Sequence, residues 1–143
     1  MRGRLIIITV VVLGAAGAYL MFRTADTPPS TSAAGGLAPA AQTAAAGAVT
    51  VEVEPTRLDA GGAEFQVTFD THSVTLDTDM TTATRLEVDG VVWPLTRWSG
   101  DGPGGHHRQG QLSFRPGGPA IGSAHLTIAG LPGPVDMVWD LTG

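Results

Sequence analysis

The chain has 143 residues and a mass of 14.6 kDa, room for one domain of ordinary size. It carries eight arginines, no lysine, thirteen acidic residues and no cysteine, for a formal net charge of −5. Disulfides, zinc–thiolate and blue-copper centres and a cysteine nucleophile are excluded, and the negative balance argues against nucleic acid as the main partner.

Leu5 to Phe22 is an uncharged run of eighteen residues, with Arg2 and Arg4 before it and Arg23 after it. At a rise of ~1.5 Å per residue a helix of that length spans ~27 Å, close to the hydrocarbon core of a bilayer. The run exceeds the ~7–15-residue apolar region of a cleaved signal peptide. The nearest small-x-small patterns, Ala38-Pro39-Ala40 and Ala44-Ala45-Ala46, lie far beyond its end. The expectation is an uncleaved single-pass anchor over 1–23, with a cleaved signal peptide as the alternative. Arg2, Arg4 and the free amine keep the N-terminus in the cytoplasm, so the remainder is expected outside the cytoplasmic membrane.

Thr24 to Ala48 contains ten Ala, four Thr, three Pro and three Gly, with Leu37 as its one large apolar residue. Such a segment buries too little surface to offset its ordering entropy, and a flexible linker is expected over 24–48. Residues 49–143 are the expected domain. Five arginines there face twelve acidic residues, a formal charge of −7.

Beyond residue 48 the apolar period is two. Val49, Val51 and Val53 alternate with polar residues, as do Phe65, Val67 and Phe69. Leu86 and Val88 are followed, after Asp89-Gly90, by Val91, Trp93 and Leu95. Then come Leu112 and Phe114, Leu126 and Ile128, and Val135, Met137, Trp139 and Leu141. Asp-Gly between alternating runs predicts a two-residue type I′ hairpin, with Val88 opposite Val91 and Leu86 opposite Trp93. The alternation slips from odd to even numbers between Phe69 and Val74, which predicts a bulge or sharp bend at Thr71-His72-Ser73. Seven to eight short strands without a helix predict an all-β fold. The expected form is an antiparallel β-sandwich, immunoglobulin-like or cupredoxin-like, with a small barrel as the alternative.

The longest irregular stretch, Ser99 to Gly110, holds two of the four histidines side by side among five glycines. Loops of that length are often functional, and glycine permits close backbone approach. Here the sequence resembles a known group. Phe69-Asp70-Thr71-His72-Ser73-Val74, and Trp98-Ser99-Gly100 with Gly104-Gly105-His106-His107-Arg108-Gln109-Gly110, look like the paired motifs of an uncharacterised family of membrane-anchored prokaryotic β-sandwich proteins. The likeness covers roughly residues 49–143. It implies a sandwich fold and a place at the membrane, and names no activity. A looser likeness, in layout only, is to exported copper-handling sandwiches, whose Met-rich loop this chain lacks.

Three readings of the loop stay open. Neutral imidazoles suit copper or zinc, and His72, His106 and His107 with Asp70 and Met80 could form a metal site, copper before zinc. Asp77 and Asp79 are also near in sequence. Alternatively the loop is a structural latch, with Arg108 clamping Asp70 or Asp101 and the histidines pinning the glycines against Trp98. In the third reading Arg108 and the glycine-flanked N–H groups receive an anion or a partner protein, such as a component of a membrane assembly. His125 is out of phase with Leu126 and Ile128 and is expected to face solvent. No catalytic constellation emerges: Ser73 and His72 point to opposite faces, and no phosphate loop or HExxH pattern occurs. A binding domain, not an enzyme, is expected.

Overall fold

The computed structural model describes residues 39–143. The anchor expected over 1–23, and the expected linker as far as residue 38, lie outside the described residues. Among the described residues no helix is long and apolar enough to cross a membrane.

The period-two segments become strands. In chain order they are β1 (Gln42–Ala46), β2 (Val49–Asp59) and β3 (Gly62–Thr71), then the single-turn helix α1 (Met80–Ala83). β4 (Thr84–Val88), β5 (Val91–Trp93), β6 (Leu95–Gly100), β7 (His107–Phe114), β8 (Ser123–Ile128) and β9 (Val135–Asp140) follow. They form two sheets, ordered β1-β2-β3-β7-β6 and β5-β4-β8-β9. Every neighbouring pair is antiparallel. The class is all-β and sandwich-like, with nine strands among the described residues where seven or eight were expected.

Alternation decides which face is buried. Val49, Val51, Val53, Phe65, Val67, Phe69, Leu112 and Phe114 turn inward from the larger sheet. Leu86, Val88, Trp93, Leu126, Ile128, Val135, Met137 and Trp139 answer from the smaller one, in one continuous core. Each fully buried side chain of this size contributes on the order of 1.5–3 kcal/mol. Phe65 sits at the centre, edge-on to Phe114 at 6.0 Å and tilted against Trp139 at 5.2 Å.

Four expectations need comment. The Asp89-Gly90 hairpin forms as read, with Val88 opposite Val91, Leu86 opposite Trp93, and φ of 50° and 79° at its two turn residues. The run from Val91 to Leu95 is not one strand. It breaks at Pro94, which supplies no N–H for a ladder, and the chain passes from the smaller sheet to the larger. The slip at Thr71 is a bend and not a bulge. Thr71 Oγ1 accepts from the N–H groups of Ser73 and Val74, both at 3.3 Å, and the chain leaves the sheet there to cross to β4. The linker boundary at residue 48 is corrected. Residues 42–46 pair with β2 as strand β1, so the domain begins before Val49. Two side-chain donors hold this Ala-rich segment: Trp139 Nε1 donates to Ala40 O at 2.8 Å and Gln42 Nε2 to Val138 O at 2.7 Å. A segment of low intrinsic strand preference is carried by its partners.

At the opposite end of the sheets from Thr71, the Asp89 carboxylate fastens the connection between β7 and β8. It accepts from Ile121, Gly122 and Ser123 N–H at 2.9, 3.2 and 2.7 Å. These backbone donors, Ile121 first, hold the carboxyl below the ordinary carboxylate range. The folded form thus binds the proton less readily than the unfolded chain, and its stabilisation is present above the unfolded value of about 4 and lost as pH falls below it. The thermal midpoint is expected to stay level from about pH 7 to 5 and to drop below about pH 4. Asp89→Asn, which keeps a residue tolerant of the left-handed turn, should lower the midpoint by several degrees at pH 7 and flatten the acid limb. Scanning calorimetry across that range checks both.

Candidate functional site

The two predicted motifs do meet, because β3 and β7 are neighbours. Their register sets Asp70 opposite His107 and Phe69 opposite Arg108, and Thr71 N donates to His106 O at 2.9 Å just beyond. Successive strand residues face opposite ways, so His107 and Arg108 part company.

His107 lies on the outer face, where its Nδ1 is 2.6 Å from Asp70 Oδ1. His106 turns its Nδ1 to Val74 O at 2.9 Å. A carbonyl and an ionised carboxylate can only accept, so both rings carry their proton on Nδ1 and, when neutral, a lone pair on Nε2. Both histidines are exposed.

Arg108 turns inward, into the column of Phe114, Leu112 and Gly110, and is 2% exposed. Its Nε donates to Asp101 O at 3.0 Å and its Nη1 to the carbonyls of Leu76 and Thr78. The guanidinium lies 5.2 Å from the centre of the Trp98 ring, in cation–π range. Burial pulls the Arg108 guanidinium below its ordinary value, and the charges of Asp101 and Asp79 act in the opposite sense.

The loops around it are joined by their backbones. Leu76 N donates to Gly105 O at 3.1 Å and Gly104 N to Leu76 O at 2.9 Å. Positive φ at Gly104 and Gly105, 117° and 74°, lets the chain make this approach. Trp98 covers Gly110 so closely that a Cβ there would stand 2.6 Å from the ring. The indole Nε1 donates to Asp101 O at 3.1 Å, and the Asp101 carboxylate accepts from Gln109 N at 2.9 Å. Asp79 caps α1. Its carboxylate accepts from the Thr81 hydroxyl and N–H, which hold it below the usual range.

Several expected site residues fall elsewhere. Met80 is a core residue, 1% exposed, carried inward with Leu76 by the segment that crosses between sheets; it is no ligand for the surface histidines. His72 lies past the end of β3, exposed and without a hydrogen-bond partner among the described residues. The expected Arg108–Asp70 clamp does not form, because the two lie on opposite faces of the sheet and Asp70 takes His107 instead. The Arg108–Asp101 contact does form, through the Asp101 main-chain carbonyl. Among the described residues no three His, Asp or Glu side chains are grouped to hold a metal ion. His125 is exposed and sits 3.2 Å from Asp136 on the outer face of the smaller sheet. The acceptors for Arg108, the carbonyls of Leu76 and Thr78, have no side-chain signature in the sequence. Thr71 had one, since threonine oxygens cap turns two and three residues on.

No known protein family, no curated protein and no solved structure matches the chain. The likeness to membrane-anchored sandwiches rests on the two motifs alone.

Replacing Arg108 leaves buried carbonyls without donors. Arg108→Leu is expected to cost about 3 kcal/mol of stability, read from the urea midpoint. Gly110→Ala must displace both the Trp98 ring and the Gly100 backbone, which stands 2.8 Å from the added Cβ, a loss of about 1–3 kcal/mol with a red shift of tryptophan emission.

Proposed function

We propose that this chain is a membrane-tethered, extracytoplasmic, non-catalytic interaction domain in which the Gly-Gly-His-His-Arg loop is a structural latch. One observation carries the latch. The cation of the motif is buried on main-chain carbonyls of two irregular segments, Asp101 after β6 and Leu76 and Thr78 on the crossing from β3 to β4, and so faces no ligand. Its position also speaks against an anion site built on Arg108. The membrane tether and the site outside the cytoplasm are supported by the apolar run and its flanking arginines. The immunoglobulin-like or cupredoxin-like kind of sandwich is part of the same proposal. A partner in a membrane assembly is the kind of ligand such a domain takes.

The geometry of the histidines favours a second reading. Anchoring Nδ1 on a carboxylate or carbonyl is the way proteins orient imidazoles that ligate metals through Nε2. A copper or zinc ion would then be held by His106 or His107 near Asp70.

The two readings separate in one set of measurements on the full-length protein in mild detergent. The latch reading expects no saturable heat with Cu(II) or Zn(II) below about 100 μM. It expects Arg108→Leu to lower the melting temperature with no metal present and His72→Ala to leave it unchanged. Saturable heat that disappears in the His106→Ala/His107→Ala double variant would transfer the function to the metal.

A further inference from the structure

The larger sheet ends on β6, and no strand lies beyond it among the described residues. The register states which of its main-chain groups are spare. Arg97 faces Ser113, Ser99 faces Gln111, and Asp101 N donates to Gln109 O at 2.9 Å. Bonded and non-bonded pairs alternate along an antiparallel ladder. Arg97, Ser99 and Asp101 therefore turn their N–H and C=O groups toward β7, and Trp98 and Gly100 turn theirs to the open edge. The spacing agrees. A Cβ on Gly100 would stand 2.3 Å from Gly110 Cα, the close approach of a non-bonded pair. Gly100 is exposed and Trp98 half-buried.

The charges around this edge differ from those of the domain. Arg57 pairs with Asp59, Arg85 pairs with Glu87, and Arg108 is buried. Arg97 and Arg115 are exposed and belong to no ion pair among the described residues. Arg97 is opposite Ser113, two residues before Arg115, and Arg115 N bonds Pro94 O at 3.1 Å. The two unpaired cations of a domain of charge −7 thus flank the first half of β6.

We propose that the β6 edge takes an extended, acidic segment of a partner protein as an added antiparallel strand. Trp98 and Gly100 supply its main-chain hydrogen bonds, and Arg97 and Arg115 meet its carboxylates. β-Augmentation draws affinity from such spare backbone groups and specificity from alternate side chains. Arg97, bonded toward β7, occupies the non-bonded position against the added strand, where side chains come closest. A second copy of this chain fits less well, since its own β6 edge would set two more unpaired arginines against Arg97 and Arg115. The inference rests on the interaction-domain reading and names the surface and partner for it.

The test uses full-length ¹⁵N-labelled protein in mild detergent and two probes, an octapeptide alternating valine with glutamate and one alternating valine with lysine. The glutamate peptide should bind saturably at sub-millimolar concentration and protect the Trp98 and Gly100 amides from hydrogen exchange. Arg97→Glu/Arg115→Glu should weaken it by about tenfold or more and make the lysine peptide the better ligand. Three results overturn the assignment: no saturable binding of the glutamate peptide, equal binding of both peptides by the unaltered protein, or binding without protection at Trp98 and Gly100. The last of these moves the partner to another surface and leaves the interaction reading in place. The latch is judged separately, by the unfolding of Arg108→Leu.

Discussion

The contact on which the domain depends is the buried guanidinium of Arg108, spread over backbone carbonyls of segments that no strand holds. A charge in that position is tolerated where donors find acceptors, and Nε and Nη1 find them in the carbonyls of Asp101, Leu76 and Thr78. The consequence reaches across the core. Leu76 and Met80, two of the largest buried side chains, arrive on the crossing segment that Arg108 fastens. Residues 72–79 carry no ladder of their own. They are fixed by the paired carbonyls and amides of Gly104, Gly105 and Leu76, and by Thr78 Oγ1 donating to Gly130 O at 2.8 Å. One cation thus holds together the two places where the chain leaves regular structure at this end.

The acidity of the domain has a matching explanation. Many of its carboxylates serve loops as acceptors for backbone N–H groups. Asp59 receives Gly61, Asp79 receives Thr81, Asp101 receives Gln109, Asp140 receives Thr142, and Asp89 receives three consecutive amides. A glycine- and proline-rich chain with short strands has many such amides to satisfy. The negative charge is in good part the price of tidy turns, and its scatter over separate loops fits the absence of a grouped metal site among the described residues.

The strands were legible because period two is a local pattern with a global cause: Val49 to Val53 and Phe65 to Phe69 can bury one face only as strands. The Asp89-Gly90 turn was legible because few residue pairs accept two positive φ angles. That the two motifs lie together was not fixed by alternation; it depends on the sheet order, which sets the end of β3 beside the start of β7. What each motif residue does was legible only in part. Parity was there to be read, since Arg108 is in phase with Leu112 and Phe114 and His107 is not; the acceptors are main-chain carbonyls that any residue supplies. β1 escaped notice for a related reason. Its Gln42-Thr-Ala-Ala-Ala46 sequence has no apolar alternation; it is held by its ladder with β2 and by the Gln42–Val138 and Trp139–Ala40 bonds to β9.

That first strand carries a mechanical consequence. β1 runs from Gln42, opposite Val53, to Ala46, opposite Val49, and turns back at Gly47. Tension applied to the chain ahead of Pro39, with the domain held at the Thr71 end, pulls β1 along its own axis. Its bonds to β2 are then loaded together in shear and not opened one after another. The Trp139–Ala40 and Gln42–Val138 bonds stand first in the line of force. Under such a load the alanine-rich strand resists with its whole ladder at once, although no single bond in it is strong.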